Sequence, residues 1–272
     1  MTALLGVIGF PIEHSKSPLI HNYWIKKHQL NALYMPLRVQ PADLKEVLRA
    51  LPKAGFRGVN LTVPHKILAL DEIDVLSEEA RKAGAVNTVV FNEDGSVFGH
   101  NTDGAGFVRN LKSVSGHFDV SKSVITVLGT GGAARGICAA LTTLNCKEIR
   151  LVYRTREKAE ILKRDVSGNV VLIPWEDRQD ALINADVLVN ATTLGMNGFD
   201  DLKIDLSPLK ETAVVTDAVY APLETDLLKQ AKRRHLKTAD GLGMLLQQAA
   251  PAFEAWFGIL PEVDDTLRKL VL

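Results

Sequence analysis

The chain has 272 residues, enough for one large domain or for two modest ones with separate cores. Its 32 lysines and arginines balance 32 aspartates and glutamates, so bulk charge favours neither nucleic acid nor an anionic membrane as a partner. No stretch nears the roughly 20 apolar residues of a membrane helix, and MTALLGVIGF lacks the basic flank of a signal peptide, so a cytoplasmic protein is expected.

LLGVIGF reads as a first strand. Ser17-Pro18 then offers an N-cap with proline in the first helical position, opening the helix PLIHNYWIKKHQL. ALYMPLRV is a second strand, and in PADLKEVLRAL the residues Leu44, Val47, Leu48 and Leu51 recur at helical spacing. RGVNLTV is a third strand. DVLSEEARKAGA is expected to be helical, ended by a glycine, and VNTVVFNEDGSVFG, with Asp-Gly between two apolar runs, is expected to be a hairpin.

A second unit begins near Asp103 with the helix GAGFVRNLKSV. The strands SVITVLG, EIRLVYR, NVVLIPW, DVLVNAT and AVVTDAV follow, separated by helices such as REKAEILKRDV and ETDLLKQAKRRH, which predicts βαβ crossovers and a parallel sheet covered on both faces. After LKTADG comes the long apolar helix GLGMLLQQAAPAFEAWFGIL, then a short final helix. The fold class is α/β: two α/β domains meeting at a cleft, a common place for a small-molecule site. Cys138 and Cys146 have no metal-ligand spacing and read as reduced thiols. The histidines His14, His21, His28, His100, His117 and His235 show no metal-ligand pattern, and no metal is expected.

VLGTGGAA places Gly129, Gly131 and Ala134 at G-x-G-x-x-A spacing between a predicted strand and a predicted helix, the context a dinucleotide fingerprint requires. The first glycine permits the tight turn, the second lets backbone approach a pyrophosphate, and the small third residue permits close helix packing. At the end of the next strand an NAD site usually presents Asp or Glu to the ribose hydroxyls. Here stand Tyr153, Arg154, Thr155, Arg156 and Lys158, with no carboxylate before Glu157. A guanidinium binds phosphate through two hydrogen bonds at once, so NADP is favoured over NAD.

The first domain concentrates unusual polar residues. HSKSP brings Ser15 and Ser17 to a helix start, a plausible carboxylate site that an ordinary N-cap would also explain. NLTVPHK places Thr62 and Lys66 at the outgoing end of a strand, where open α/β sheets bind ligands. Taken alone, Lys66 is either a solvated helix-start lysine or a catalytic group. Asn87 follows in GAVNTVV, and Asn101 and Asp103 in NTDGAGF.

This set, in this order, resembles the shikimate dehydrogenase family, NADP-linked oxidoreductases that interconvert shikimate and 3-dehydroshikimate in the biosynthesis of chorismate and the aromatic amino acids. HSKSP, NLTVPHK, GAVNT, NTDG, GTGGAAR, YRT, NATTLGM, YAPLETDLL and DGLGMLLQQA all fall in the family order, so the resemblance spans essentially the whole chain. It implies a catalytic domain of residues 1–102 plus 241–272 and a Rossmann NADP-binding domain of residues 103–240. It implies Lys66 and Asp103 as the catalytic pair. Ser15, Ser17 and Tyr220 would hold the substrate carboxylate, and Thr62, Asn87 and Gln248 its ring hydroxyls. Gly129, Thr130, Gly131, Gly132, Ala133, Arg154, Thr155, Lys158 and Gly241 would bind the cofactor. The protein is then a monomer or homodimer whose partner is a small molecule.

The sequence departs from the family pattern twice. Tyr153 stands where asparagine is common before the Arg-Thr pair, a residue that could pack on the adenine or weaken cofactor binding. His65 stands where many relatives carry phenylalanine, either as a packing variation or as a group titrating beside the lysine. Two rival readings are a quinate/shikimate dehydrogenase using NAD and a non-catalytic metabolite sensor. The paired serines and Arg154-Thr155 favour the shikimate and NADP reading over the first, and the presence of both Lys66 and Asp103 favours it over the second.

Overall fold

The computed structural model describes residues 2–116 and 118–272. The chain divides into two units, Met1–Thr102 with Leu246–Leu272, and Asp103–Leu245.

The first unit carries β1 (Ala3–Gly9), α1 (Ser17–Lys27), β2 (Ala32–Arg38), α2 (Leu44–Ala50), β3 (Phe56–Leu61), α3 (His65–Leu68), β4 (Val75–Leu76), α4 (Glu78–Ala83), β5 (Thr88–Phe91) and β6 (Val97–His100). Among the described residues its sheet has six strands in the order β2-β1-β3-β5-β6-β4. β1 pairs in parallel with β2 and β3, and the predicted hairpin supplies the antiparallel β3-β5 and β5-β6 pairs. One expectation needs correcting. The helix predicted across residues 74–85 is shorter, because Val75 and Leu76 pair with Phe98 and Gly99 as a strand and Ser77 caps the helix by accepting from the Ala80 N–H. Ladder hydrogen bonds from a distant strand override the local helical preference there.

The second unit carries α5 (Asp103–Ser115), β7 (Val124–Leu128), α6 (Gly132–Thr143), β8 (Glu148–Tyr153), α7 (Arg156–Val166), β9 (Val170–Pro174), β10 (Val187–Asn190), β11 (Val214–Asp217), α8 (Asp226–Arg233) and β12 (Lys237–Ala239). Its six described strands are all parallel, in the order β12-β11-β10-β7-β8-β9. That is the Rossmann order, which reverses direction between β7 and β10. The strands are near-continuous apolar runs with buried side chains, as a sheet covered on both faces demands. β12 was not expected, since KTA has little strand signal of its own and is recruited by pairing with Val214–Thr216.

Last come α9 (Gly241–Phe257) and α10 (Asp265–Val271). The division between the units falls inside α9 because its first turn is tied to α5. Asn110 donates to the Asp240 carbonyl, and Gly243 lies so close to the Asn110 amide that a Cβ would overlap it. The rest of α9 belongs to the first unit, where Trp256, 1% exposed, donates to the Val89 carbonyl at 2.9 Å. A Cβ on Gly58 would collide with that indole, which is why β3 carries glycine there. His21, Trp24, Tyr34, Phe253 and Trp256 pack as one aromatic cluster between α1 and α9. Burying each large ring contributes about 2–3 kcal/mol. Beyond α9, the Asp264 carboxylate accepts from Tyr23 and Lys27 and fastens the C-terminal segment to α1.

Candidate active site

In the first unit, the carboxyl ends of β1, β3 and β6 and the start of β5 lie along one edge of the sheet, with Asn60 opposite Thr88 and Thr88 opposite His100. The β1 end has no Cβ at Gly9 because the Thr62 Cγ2 and Ile12 Cδ1 already occupy that position. The loop bearing Ser15 therefore leaves the sheet beside Thr62. Ser17 is the first residue of α1 rather than its cap: Lys16 precedes the helix in right-handed conformation and makes no side-chain cap. The serines are linked differently, the Ser17 N–H donating to the Ser15 Oγ at 3.3 Å. Proline in the first turn leaves fewer N–H groups to cap, so this single bond replaces the expected arrangement.

Past β3 the backbone closes a turn, the His65 N–H donating to the Thr62 carbonyl at 2.8 Å. Lys66 is then anchored through its own carbonyl, which accepts from Val86 at 2.7 Å, one residue before Asn87. Leu61 donates to the Asn87 carbonyl at 2.9 Å. Thr62, Lys66 and Asn87 are thus gathered at one edge by three backbone hydrogen bonds.

Asn87 sits in a buried polar network. Its Oδ1 accepts from the Thr102 N–H at 2.9 Å and from the Thr88 hydroxyl at 3.1 Å, and its Nδ2 donates to the Gln248 Oε1 at 3.1 Å. Thr102 also donates to that Gln248 oxygen at 3.2 Å. The oxygen end of the Gln248 amide therefore faces Asn87 and Thr102. Asn60 extends the network, donating to the Asn87 carbonyl and accepting from the Tyr34 hydroxyl at 2.7 Å. Burial pushes the Tyr34 phenol well above its ordinary range, opposed by a hydrogen bond with Ser17. Tyr34, Asn60, Thr88 and Thr102 were not singled out in the sequence. Their only signal is polar residues inside strand patterns, visible as a network once the strands are paired.

His65 is fully buried, with Nε2 2.9 Å from the Val39 carbonyl, and burial lowers its pKa. It packs in the core against the Val39 carbonyl. Asn101 is likewise structural, donating to the Ala85 carbonyl at 2.9 Å.

In the second unit, Gly129 ends β7 with φ +105°, and a Cβ there would come within 2.9 Å of the Thr192 Cγ2. Gly131 precedes α6 with extended backbone, and a Cβ on it would meet nothing within 4 Å. The room beside Gly131 thus lies outside the protein's own packing, at the N-terminus of a helix and at the switch point of the sheet. Those are the conditions under which a pyrophosphate binds. Thr130, Gly132 and Ala133 share this turn, and Ala134 is fully buried under it. Gly241 packs so tightly on the Ala218 and Val219 carbonyls that only glycine fits. Tyr220 follows β11, its phenol pushed up by burial. Asp103, 3% exposed, opens α5.

Arg154, Thr155 and Lys158 are exposed at the start of α7, and Thr155, the residue before the helix, makes no side-chain cap. The Arg154 guanidinium lies over the Trp175 ring at 4.7 Å. Tyr153 is 8% exposed at the end of β8. Arg135, from the GTGGAAR stretch, is structural and pairs with Asp165 at 2.9 Å. Asp217, 1% exposed, accepts from Asn190, Thr225 and Val219. Burial pushes its carboxyl up to about 6 against those bonds, and it braces the loops after β10 and β11. Burial also pushes the thiols up, Cys138 to about 12 and Cys146 to about 11, so neither is a reactive thiolate. No group of three His, Cys, Asp or Glu side chains able to hold a metal occurs among the described residues, and His117 lies outside them.

A Rossmann sheet with a glycine turn before α6, in a chain with a second α/β unit bearing a lysine and a buried amide network, defines a dinucleotide-binding oxidoreductase. The family model for the shikimate dehydrogenase substrate-binding domain matches residues 7–89, that for shikimate/quinate 5-dehydrogenase residues 111–199, and that for the shikimate 5'-dehydrogenase C-terminal domain residues 241–270. The chain is 47% identical to the shikimate dehydrogenase (NADP(+)) of Paramagnetospirillum magneticum over 99% of its length and 98% of the relative's, and 47% identical to that of Dinoroseobacter shibae over 99% and 97%. Among solved structures it is similar to the Thermus thermophilus shikimate 5-dehydrogenase in complex with NADP(H) and shikimate (36% identity, TM-score 0.83, 99% of this chain and 98% of that one). It is also similar to the Corynebacterium glutamicum quinate dehydrogenase in complex with NAD (32% identity, TM-score 0.90, 99% and 98%). The chain belongs to the shikimate dehydrogenase family.

Proposed function

We propose that the protein is an NADP-dependent shikimate dehydrogenase, interconverting shikimate and 3-dehydroshikimate in the cytoplasm as a monomer or homodimer, on the route to chorismate and the aromatic amino acids. The observation that carries this reading is Lys66, tied through its carbonyl to Val86, one residue from the Asn87–Gln248 amide pair. On this reading, Lys66 is the proton donor and the two amides bind the hydroxyls of a polyhydroxylated ring ketone at one sheet edge. Residues 1–102 with 241–272 form the catalytic domain and residues 103–240 the cofactor domain.

When bound, the nicotinamide supplies the hydride. The turn at Gly129, Thr130, Gly131, Gly132 and Ala133 fits a pyrophosphate, Arg154, Thr155 and Lys158 fit a 2′-phosphate, and Gly241, packed on the Ala218 and Val219 carbonyls, offers its backbone to the cofactor. Ser15, Ser17 and Tyr220 bind the substrate carboxylate. Thr62, Asn87 and Gln248 hold the ring hydroxyls, and because the Asn87 and Gln248 amides are already oriented by hydrogen bonds, little ordering remains on binding. Lys66 and Asp103 handle the proton: the ammonium of Lys66 gives it to the ketone oxygen as charge develops there, and neutral lysine accepts it from the alcohol in the reverse direction. The test is initial rates by nicotinamide absorbance, crossing shikimate and quinate with NADP and NAD. Turnover concentrated on shikimate with NADP is expected. Equal rates with quinate or NAD would give the rival reading first place, and binding without turnover would make the protein a sensor.

A further inference from the structure

Tyr153 pairs with Pro174 in the parallel ladder of β8 and β9, so Arg154 and Trp175, the next residues, leave the sheet at the same level of its carboxyl edge. Trp175 is half-buried and packs against the core cluster that includes Leu128 and Leu188. Two guanidiniums sit on its ring, Arg154 at 4.7 Å and Arg178 at 5.2 Å from the centroid. Arg178 is held in place by its own backbone turn, donating from Nη1 to the Trp175 carbonyl at 2.9 Å. Glu176 and Asp177 are exposed in that turn, yet among the described residues no carboxylate forms a salt bridge with either guanidinium. Two cations thus share one aromatic ring without an acidic partner. Their mutual repulsion is unfavourable unless an anion joins them, and a phosphate dianion matches two guanidiniums in charge and in planar hydrogen-bonding geometry.

We propose that Arg178 is a second arginine for the 2′-phosphate of the cofactor and that Trp175 is the positioning residue whose ring holds both it and Arg154. This rests on the reading of Arg154 as a 2′-phosphate group and adds two residues outside the Arg-Thr stretch to it. Cation–π contact on a rigid ring restricts the long arginine side chains before binding, so less rotamer freedom is lost when the phosphate arrives.

The test is calorimetric titration of the full chain with adenosine 2′,5′-bisphosphate and with 5′-AMP, the ratio of the two affinities being the 2′-phosphate preference. In the unchanged chain that preference is expected to be about a hundredfold. Equal binding of the two would overturn the NADP reading, and this inference with it. Arg178→Gln is expected to narrow the preference about tenfold, and Trp175→Leu about fivefold, whereas Trp175→Phe, which keeps an aromatic face, restores most of it. A preference left intact in both Arg178→Gln and Trp175→Leu would overturn the inference while leaving the NADP reading standing. Weakening of both nucleotides alike would also overturn it, since that marks a structural role. Thermal melting reports folding, and if Trp175→Leu does not fold, Arg178→Gln on the half-exposed turn decides alone.

Discussion

The Asn87 amide donates to the Gln248 Oε1 across 161 residues of sequence, joining the start of β5 to α9 at the candidate substrate site. Both side chains also bond Thr102, so they act as one unit. Asn87→Ala and Gln248→Ala are each expected to raise the KM for shikimate about tenfold, and the double variant less than the product of the two, because groups in one network are not additive. Steady-state kinetics on the three variants checks this, and full additivity would separate the two residues.

Lys66 is the group whose loss should fall on chemistry. Lys66→Ala is expected to lower kcat by about 10²–10⁴-fold, the usual worth of a positioned acid or base. Lys66→Arg should recover little, since a guanidinium stays protonated at working pH. The measurement is kcat with saturating shikimate and NADP. A Lys66→Ala enzyme with full turnover would end the proposed mechanism.

Gly129 combines φ +105° with a Cβ position 2.9 Å from Thr192. Gly129→Ala is expected to cost about 1–3 kcal/mol of stability through the left-handed backbone alone, and to weaken NADP binding by shifting the turn. Denaturant unfolding and cofactor titration on the same preparation read the two effects separately.

His21 makes stability depend on pH. It is 1% exposed, stacks on Tyr34 at 4.3 Å, and has no well-formed hydrogen bond at either ring nitrogen among the described residues. Burial lowers its pKa to about 3, with Asn60 offsetting this only in part. The unfolded chain takes up the proton near pH 6.5 and the folded chain does not until about 3, so this contribution is complete above 6.5 and is lost as pH falls through that window. The slope is about 1.4 kcal/mol per pH unit. His65 and His100, lowered by burial, act in the same sense. Asp217, raised to about 6, acts oppositely, its contribution present below 3.8 and lost as pH rises through 6. His21→Phe should flatten the fall in denaturation midpoint between pH 6.5 and 4.5. An unchanged slope would show that the ring is hydrated in the folded state.

The amino-acid sequence by itself determined what rests on short-range chemistry. Apolar periodicity marked most strands and helices, Asp-Gly marked the β5–β6 hairpin, and the glycine spacing at Gly129 and Gly131 marked the tight turn between β7 and α6. Thr62, Lys66 and Asn87, named from motif order, lie along one edge of the first sheet. Only the tertiary structure decided the rest. Val75–Leu76 and Lys237–Ala239 are strands because distant partners offer ladder bonds, which no local preference encodes. Ser17 is a helical residue and not a cap, because the backbone at Lys16 is already helical. Tyr34, Asn60, Thr88 and Thr102 join the site through contacts between separate strands, and Trp175 meets Arg154 because β8 and β9 end in register. Periodicity and turn chemistry are properties of neighbours in sequence, whereas pairing and stacking belong to residues that only folding makes neighbours.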